Sequence, residues 1–311
     1  MKNIARKATA LTLGLGLVLG MSACNRGDTA AEGGKATLAV STLNNPFFVD
    51  LRDGAEEEAG KLGLELNVVD AQNDSATQAN QLATAATDGS AGVIINAVDS
   101  EAASAALAPV VSANLPIVAV DRSVGETQVA SFVASDNVAG GEQAAKALAA
   151  ELGGEGKIIV LEGVPGASST NERGEGFDKG LSQFPQIEVV SSQPANYDRA
   201  KALDVATNLL QGNPDVVGVL AMNDEMALGA IQALGAKAGK DVKVVGFDGT
   251  EDGFAAVQDG TLLATIAQNP AELGRQSVQI ISKVLAGEQV ESEVAVAVDT
   301  VTEQNIADFA K

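Results

Sequence analysis

The chain has 311 residues, 46% of them hydrophobic and 20% charged, which is enough for two domains with packed cores. Its formal net charge of −21 argues against a nucleic-acid partner, since phosphate binding requires a basic surface. The absence of histidine removes the commonest general base and metal ligand, and with them most hydrolase triads.

The first 24 residues are typical of an export signal. Three basic residues precede an apolar stretch at 8–21, which is too short and too glycine-rich for a comfortable membrane span. It ends in LGMSAC, which resembles a bacterial lipobox and includes the only cysteine, Cys24. We therefore expect residues 1–23 to be a lipoprotein signal peptide, Cys24 to carry lipid, and residues 24–36 to be a flexible tether. The alternative is a soluble secreted protein in which the cysteine is incidental.

From Thr37 onward, short apolar runs alternate with Ala-rich amphipathic runs. A helix is predicted at 46–62, where Phe48, Leu51 and Ala55 recur at spacings of three and four. Continuous apolar strands separated by helices predict an α/β fold with parallel sheets covered on both faces. Eleven strands are too many for one doubly wound sheet, so two Rossmann-like lobes are predicted. The strands are expected at 37–40, 65–69, 92–95, 116–120, 131–133, 157–161, 188–191, 216–221, 242–247, 262–267 and 294–298.

Aromatic and polar residues follow the carboxyl ends of these strands, where the loops of such sheets converge and ligands bind. Four of the nine aromatic residues fall there, which is a concentration of a scarce residue type at one edge of each sheet. Carboxylates, amides and two arginines accompany them. The full set is Ser41, Asn45, Phe47, Phe48, Asn96, Asp121, Arg122, Arg173, Tyr197, Asn223, Phe247, Asp248 and Gln268.

This mixture of side chains is typical of a sugar site. Aromatic faces stack on the C–H faces of a sugar ring, while carboxylates, amides and arginines supply directed hydrogen bonds to hydroxyls. Two aspartates and two arginines roughly cancel in charge, which indicates a neutral polyol rather than an ion. The set contains neither a nucleophile–base pair nor a metal cluster, so we expect neither an enzyme nor a cofactor.

Simpler structural roles remain open for several of these residues. The segment at 45–48, Asn-Pro-Phe-Phe, is also compatible with a helix start that places two phenylalanines in the core. Asp121 and Arg122 are compatible with a surface ion pair, and the Asp-Gly at 248–249 with a plain turn. Asp224 is expected to be the N-cap of the helix that follows it.

Six segments carry a resemblance to a known family: STLNNPFF, DGAEEEAGKLG, SDNVAGG, RGEGF, NDEMALGA and VVGFDGT. Together, and in order along residues 36–304, they resemble the ribose-binding proteins of bacterial ABC importers, which are periplasmic binding proteins of the pentose and hexose type. The resemblance implies the type I fold, in which two α/β lobes joined by a three-segment hinge close around one sugar. The implied lobes are 37–135 with 269–297 and 136–268 with 298–304, followed by a tail at 305–311.

The resemblance assigns sugar contact to all thirteen strand-end residues, with Gln268 at the hinge. It implies that the two aspartates and two arginines bind ring hydroxyls, and that Phe47, Phe48 and Tyr197 sandwich the ring. Tyr197 departs from the family, which carries phenylalanine there, so its hydroxyl is expected to reach the ligand or a water and shift sugar preference. Asn171 replaces a basic residue and is expected to lie outside the sugar contacts.

The resemblance implies an extracytoplasmic receptor that delivers D-ribose to the membrane permease of an ABC importer. Allose, galactose or xylose remain alternative ligands, and a chemotaxis receptor or sensor is a further possible partner. A monomer is expected, in the periplasm or on the outer face of the cytoplasmic membrane, anchored only by lipid on Cys24. A repressor core would need an amino-terminal helix-turn-helix where the export signal stands, and a Rossmann-type enzyme would need a nucleotide loop.

Overall fold

The computed structural model describes residues 33–309. The expected signal peptide, Cys24 and most of the expected tether lie outside the described residues, as do the last two residues of the expected tail. The described strands are β1 Gly33–Val40, β2 Leu64–Asp70, β3 Gly92–Ile95, β4 Ile117–Val120, β5 Ser131–Ser135, β6 Glu155–Glu162, β7 Gln186–Pro194, β8 Val216–Ala221, β9 Lys243–Asp248, β10 Ala264–Ala267, β11 Glu293–Val296 and β12 Asp299–Thr302. The described α-helices are α1 Pro46–Leu62, α2 Ser75–Ala85, α3 Ala103–Ser112, α4 Asn137–Glu151, α5 Ser168–Leu181, α6 Arg199–Gly212, α7 Asp224–Leu234, α8 Glu251–Gln258 and α9 Pro270–Leu285.

The strands form two six-stranded sheets, one in each of two α/β lobes, which confirms the predicted fold class. The first sheet has the order β11-β5-β4-β3-β1-β2, and all its pairs are parallel. The second has the order β12-β10-β9-β8-β6-β7, and β12 runs antiparallel to β10. In both sheets the first strand of the lobe lies between the second and third, so the strand order reverses beside it and opens a crevice at the carboxyl edge.

The chain passes between the two sheets three times, after β5, after β10 and between β11 and β12. The last passage corrects the single strand predicted at 294–298. β11 ends at Val296 in the first sheet, and β12 begins at Asp299 in the second. After β12, the chain forms a 3-10 turn at Ile306–Asp308, and the Phe309 ring lies 6.3 Å from that of Phe254 in α8.

Helix α1 has the bounds that the sequence predicted, because its signals are local. The Asn45 side chain accepts a hydrogen bond from the Phe47 N–H, Pro46 occupies the first turn, and Gly63 ends the helix in the left-handed conformation. The helix packs on α9 so closely that a Cβ on Gly54 would overlap the backbone carbonyl of Ala271. The helix is therefore fixed by its caps at both ends and by packing on α9 along its middle.

Each sheet is buried between helices. β3 and β4 are buried along their whole length, as expected of central parallel strands. Apolar side chains fill the first lobe on both faces of its sheet, and a separate cluster fills the second lobe. These packed layers hold the strand ends, and the loops that follow them, in fixed positions.

Among the described helices, none is long and apolar enough to cross a membrane.

Candidate functional site

A cavity lies where the carboxyl edges of the two sheets face each other. Both lobes contribute to its wall, through the start of α1, the loop after β4, helix α5, the loop before α6 and the ends of β8 and β9. The lining residues are Asn45, Phe47, Phe48, Asp121, Arg122, Ser169, Arg173, Tyr197, Asn223 and Asp248.

Nine of the thirteen residues singled out in the sequence line this cavity. The other four, Ser41, Asn96, Phe247 and Gln268, do not line it. Asn96, Phe247 and Gln268 each contact a lining residue, and Ser41 contacts Asn96. Ser169 lines the cavity and was not anticipated; like Arg173, it lies in α5 rather than directly after a strand. The one signal for it is its spacing, since Ser169 and Arg173 are four residues apart and share a helix face.

Asp121 and Arg122 form a buried pair rather than a surface ion pair. The Arg122 Nη1 donates to the Ala97 carbonyl at 2.9 Å, and its Nε lies 3.6 Å from the Asp121 Oδ2. Its guanidinium stands 5.3 Å from the centre of the Phe48 ring. Asp121 has a φ of 64°, an uncommon backbone conformation for a residue with a side chain.

Asn96 positions Asp121 from behind the cavity wall. Asn96 is fully buried, and its Nδ2 donates to the Asp121 Oδ2 at 2.9 Å. Its Oδ1 accepts from the Ser41 N–H at 3.1 Å, so one amide connects the loops after β1 and β4. Burial raises the pKa of Asp121, whereas Arg122, Arg173 and the hydrogen bond from Asn96 lower it.

Arg173 is fixed in the same way on the second lobe. Its Nη1 donates to the Met222 carbonyl at 2.5 Å, and its Nε donates to the Asn137 Oδ1 at 2.9 Å. Its guanidinium lies 3.8 Å from the centre of the Phe247 ring, which is fully buried. Phe247 thus supports the arginine and has no surface in the cavity.

Asp248 completes the wall at the end of β9. The Gln268 Nε2 donates to its Oδ1 at 2.7 Å, and the Arg173 Nη1 lies 3.6 Å from the same oxygen. Its φ of 122° again departs from ordinary backbone. Burial raises its pKa well above the usual range, and Arg173 opposes that shift.

The cap of α7 differs from the sequence expectation. Asn223, not Asp224, is the N-cap, and its Oδ1 accepts from the Met226 N–H at 2.9 Å. Asp224 is fully buried and accepts hydrogen bonds from the Thr250 N–H at 2.9 Å and the Thr265 Oγ1 at 2.7 Å. It therefore stabilises the loop that follows Asp248.

The aromatic residues stand on both sides of the cavity. Phe47 and Phe48 belong to the core of the first lobe, as the helix-start interpretation predicted, and they also line the cavity. Their rings meet edge to face at 5.1 Å. The Tyr197 hydroxyl lies 2.9 Å from the Thr170 Oγ1 and 3.2 Å from the Ser169 Oγ, so it is bound within the protein.

Several buried polar atoms around the cavity have no hydrogen-bond partner. They are the Arg122 Nε, the Asn223 Nδ2, the Gln268 Oε1 and the Ser41 Oγ. Only the first two belong to residues that line the cavity, and both are donors. Leaving them unpaired is costly, so a ligand that supplies acceptors to them would bind favourably here. The cavity combines these groups with two carboxylates, two guanidinium groups and apolar rings, which suits a neutral ligand that carries many hydroxyls.

The lobes meet beside the cavity through hydrogen bonds between loops. The Ser123 N–H donates to the Ser168 Oγ at 2.9 Å, and the Ser168 N–H donates to the Ser100 Oγ at 3.0 Å. The Ser100 N–H in turn donates to the Gly166 carbonyl at 2.9 Å. These bonds join one lobe to the other, so the conformation is closed.

Residues 36–289 match the model of the periplasmic binding protein domain. The chain belongs to the periplasmic binding proteins. This family consists of sugar receptors outside the cytoplasm and not of enzymes, which agrees with the polyol chemistry of the cavity.

Three relatives illustrate the breadth of this match. The ribose import binding protein RbsB of Escherichia coli K12 is 46% identical over 267 residues, covering 86% of this chain and 90% of that protein. The RbsB of Haemophilus influenzae is 44% identical over 300 residues, covering 96% and 100%. A solved ABC transporter solute-binding protein of Mycobacterium smegmatis, with bound glycerol, has a TM-score of 0.86 at 37% identity, covering 90% of this periplasmic binding protein and 97% of that chain.

Proposed function

We propose that this periplasmic binding protein is the substrate-binding component of an ABC importer, which holds D-ribose between its lobes and delivers it to the membrane permease. The observation that carries the proposal is the cavity itself. Two Asp–Arg pairs, one from each lobe, meet there with aromatic rings from both lobes. The relatives named ribose import binding protein support D-ribose over other monosaccharides.

The chemistry of binding follows from the hydroxyl group, which both donates and accepts. Asp121 and Asp248 accept hydrogen bonds from ring hydroxyls. The Nε of Arg122 and the Nδ2 of Asn223, which make no hydrogen bond within the protein, donate to them. The apolar faces of the ring pack on Phe48 and the aromatic side chains beside it. An epimer that leaves one of these buried groups unpaired is rejected, since an orphaned buried partner costs about 1–3 kcal/mol.

Closure of the lobes is the proposed signal to the permease. The hydrogen bonds among Ser100, Ser123, Gly166 and Ser168 form only when the lobes meet. A sugar that contacts both lobes favours this closed state over the open one by its differential binding energy. The permease would recognise surfaces of both lobes at once.

In this proposal the nine predicted residues that line the cavity contact the sugar. Asn96, Phe247 and Gln268 act from behind the wall by holding contact residues, and Ser41 holds Asn96. The lobe bounds 37–135 with 269–297 and 136–268 with 298–304 belong to the same proposal, with two changes. The first lobe already begins with β1 at Gly33, and the expected tail at 305–311 packs on the second lobe through Ile306 and Phe309.

The export and anchoring of the protein are further parts of the proposal. Residues 1–23 would be removed and Cys24 lipidated, so that a monomer is held at the membrane through the chain between Cys24 and β1. Palmitate labelling of expressing cells tests this, because Cys24→Ser should abolish incorporation and release the protein. Incorporation that persists in the variant would exclude Cys24 as the site.

A pull-down with membrane extracts would distinguish a permease from a chemotaxis receptor.

Isothermal titration calorimetry with D-ribose, allose, galactose, xylose and arabinose tests the ligand. We expect one ribose per protein, loss of binding in Asp248→Ala, and unchanged binding in Asp259→Ala, which removes an exposed aspartate at the end of α8. Binding of another sugar instead would keep the receptor role and change the substrate. No heat with any sugar at high protein concentration would exclude a sugar ligand.

A further inference from the structure

Ser169 places a hydroxyl on the wall of the cavity. It lies in the first turn of α5, is 2% exposed, and shares a helix face with Arg173. Most donors around the cavity are charged or amide nitrogens. A neutral hydroxyl in this position can present either a proton or a lone pair to a ligand, and its neighbours decide which.

A chain of three hydroxyl groups decides the direction of the Ser169 proton. The Thr170 Oγ1 lies 2.9 Å from the Val164 carbonyl, which can only accept, so Thr170 donates its single proton there. The Tyr197 hydroxyl lies 2.9 Å from the Thr170 Oγ1 and must therefore be the donor in that bond. Because the Tyr197 hydroxyl donates its proton to Thr170, its oxygen accepts the hydrogen bond from the Ser169 Oγ, 3.2 Å away.

The consequence is that Ser169 has no proton left for a ligand. We infer that Ser169 is a hydrogen-bond acceptor for the bound sugar, and that it selects a hydroxyl which donates to it. This inference rests on the proposed function, since it names a further contact of the same cavity. Tyr197 acts on specificity as a positioning residue: its hydroxyl orients Ser169, while its ring faces the cavity.

The polarity of Ser169 is tested with analogues of the bound sugar, in which each hydroxyl in turn is replaced by hydrogen or by fluorine. Fluorine can accept weakly but cannot donate. At the hydroxyl that meets Ser169, we expect the deoxy and deoxyfluoro analogues to bind equally poorly, about tenfold or more weaker than the parent sugar, because the lost group is a donor to a buried acceptor. Calorimetry on the wild-type protein gives this result without any substitution.

Variants then assign the effect to Ser169. Ser169→Ala should bind the parent sugar about tenfold more weakly and should no longer distinguish it from the deoxy analogue at that position. Ser182→Ala, an exposed serine at the other end of α5, is the matched control and should bind like wild type. Thermal melts of each variant confirm that it is folded.

Tyr197→Phe separates orientation from simple contact. It keeps the ring but frees the Ser169 proton, so the deoxyfluoro analogue should gain affinity over the deoxy analogue, a change that a loss of packing would not produce. Wild-type protein that prefers the deoxyfluoro to the deoxy analogue at that position would overturn the acceptor assignment. If Ser169→Ala binds ribose as well as wild type does, Ser169 does not contact the sugar, and the proposed function still stands. Wild-type protein that binds no sugar would overturn both.

Discussion

The Gln268 side chain donates from Nε2 to the Asp248 Oδ1 at 2.7 Å, and the Gln268 N–H donates to the Asp248 carbonyl at 2.9 Å. Gln268 is the first residue after β10, where the chain crosses from the second lobe to the first. One residue of the hinge therefore holds the side chain and the backbone of a carboxylate on the cavity wall. The position of the hinge and the geometry of the site are coupled through this pair.

Removal of the Gln268 side chain should weaken sugar binding. In Gln268→Ala the Asp248 carboxylate keeps its distant contact to Arg173 but loses its short hydrogen bond, so we expect about a tenfold rise in Kd by calorimetry. Gln258→Ala, an exposed glutamine at the end of α8, is the control and should leave Kd unchanged. Equal affinity in both variants would show that the hinge does not position Asp248.

Asp224 should make the stability of the protein depend on pH in an unusual direction. Burial raises its pKa to about 6, against the opposing hydrogen bonds from Thr265 and Thr250. Between about pH 4 and pH 6 the folded protein therefore holds a proton that the unfolded chain, with an ordinary value near 3.8, has released. The contribution of Asp224 to the free energy of unfolding consequently falls as the pH rises through this window.

Asp224→Asn removes that titration and tests the sign. Asparagine does not ionise, so the charge at position 224 no longer depends on pH. Asp248 also loses the negative neighbour that helps to raise its pKa. Denaturant unfolding at pH 4 and pH 7 measures the free energy of unfolding of both proteins. The value for wild type minus the value for the variant should fall by on the order of 1–3 kcal/mol as the pH rises. A difference that stays constant or grows over this range would contradict the buried titration.

Phe247 should affect binding through Arg173 alone. Phe247→Leu removes the ring 3.8 Å from the guanidinium, so the arginine loses its stacking partner and we expect about tenfold weaker sugar binding. Phe177→Leu is the matched control, since Phe177 is equally buried in the core of the same lobe. Both variants should lose about 1–3 kcal/mol in unfolding free energy. If both variants bind the sugar equally weakly, the loss of affinity is due to the loss of packing and not to Arg173.

Two glycines of α1 should respond in opposite ways to the same substitution. Gly54→Ala would drive a methyl group into the Ala271 carbonyl on α9, and we expect a loss of about 1–3 kcal/mol in unfolding free energy. Gly60→Ala meets no atom within 4 Å and should stabilise the helix by about 0.5–1 kcal/mol. Denaturant unfolding measures both, and a stable Gly54→Ala would mean that α1 and α9 can move apart.

Local signals made α1 predictable, whereas non-local pairing decided the end of the chain. Asn45, Pro46 and Gly63 mark the two ends of the helix in the sequence itself. The segment at 294–298 is instead divided between two sheets, because β11 pairs with β5 and β12 pairs with β10. Those partners lie far away in sequence, so the apolar run by itself gave no sign of the division.

The N-cap of α7 is another feature that residues distant in sequence decide, here for a single side chain. Asn and Asp are both good N-caps, so the Asn223–Asp224 sequence left the local preference undecided. The hydroxyl of Thr265 and the backbone of Thr250 reach Asp224 from other elements, which leaves the cap to Asn223.

The alternation of strands and helices could be predicted from the sequence, because hydrophobic periodicity depends only on neighbouring residues. The number of predicted strands then indicated two lobes. The sequence also determined the chemistry at the strand ends, which indicated a neutral polyol. The folded chain shows which of these residues line the cavity, that Ser169 lines it with them, and that the Tyr197 hydroxyl contacts Thr170. Those facts depend on distances between loops of two separate lobes, and no local pattern encodes such distances.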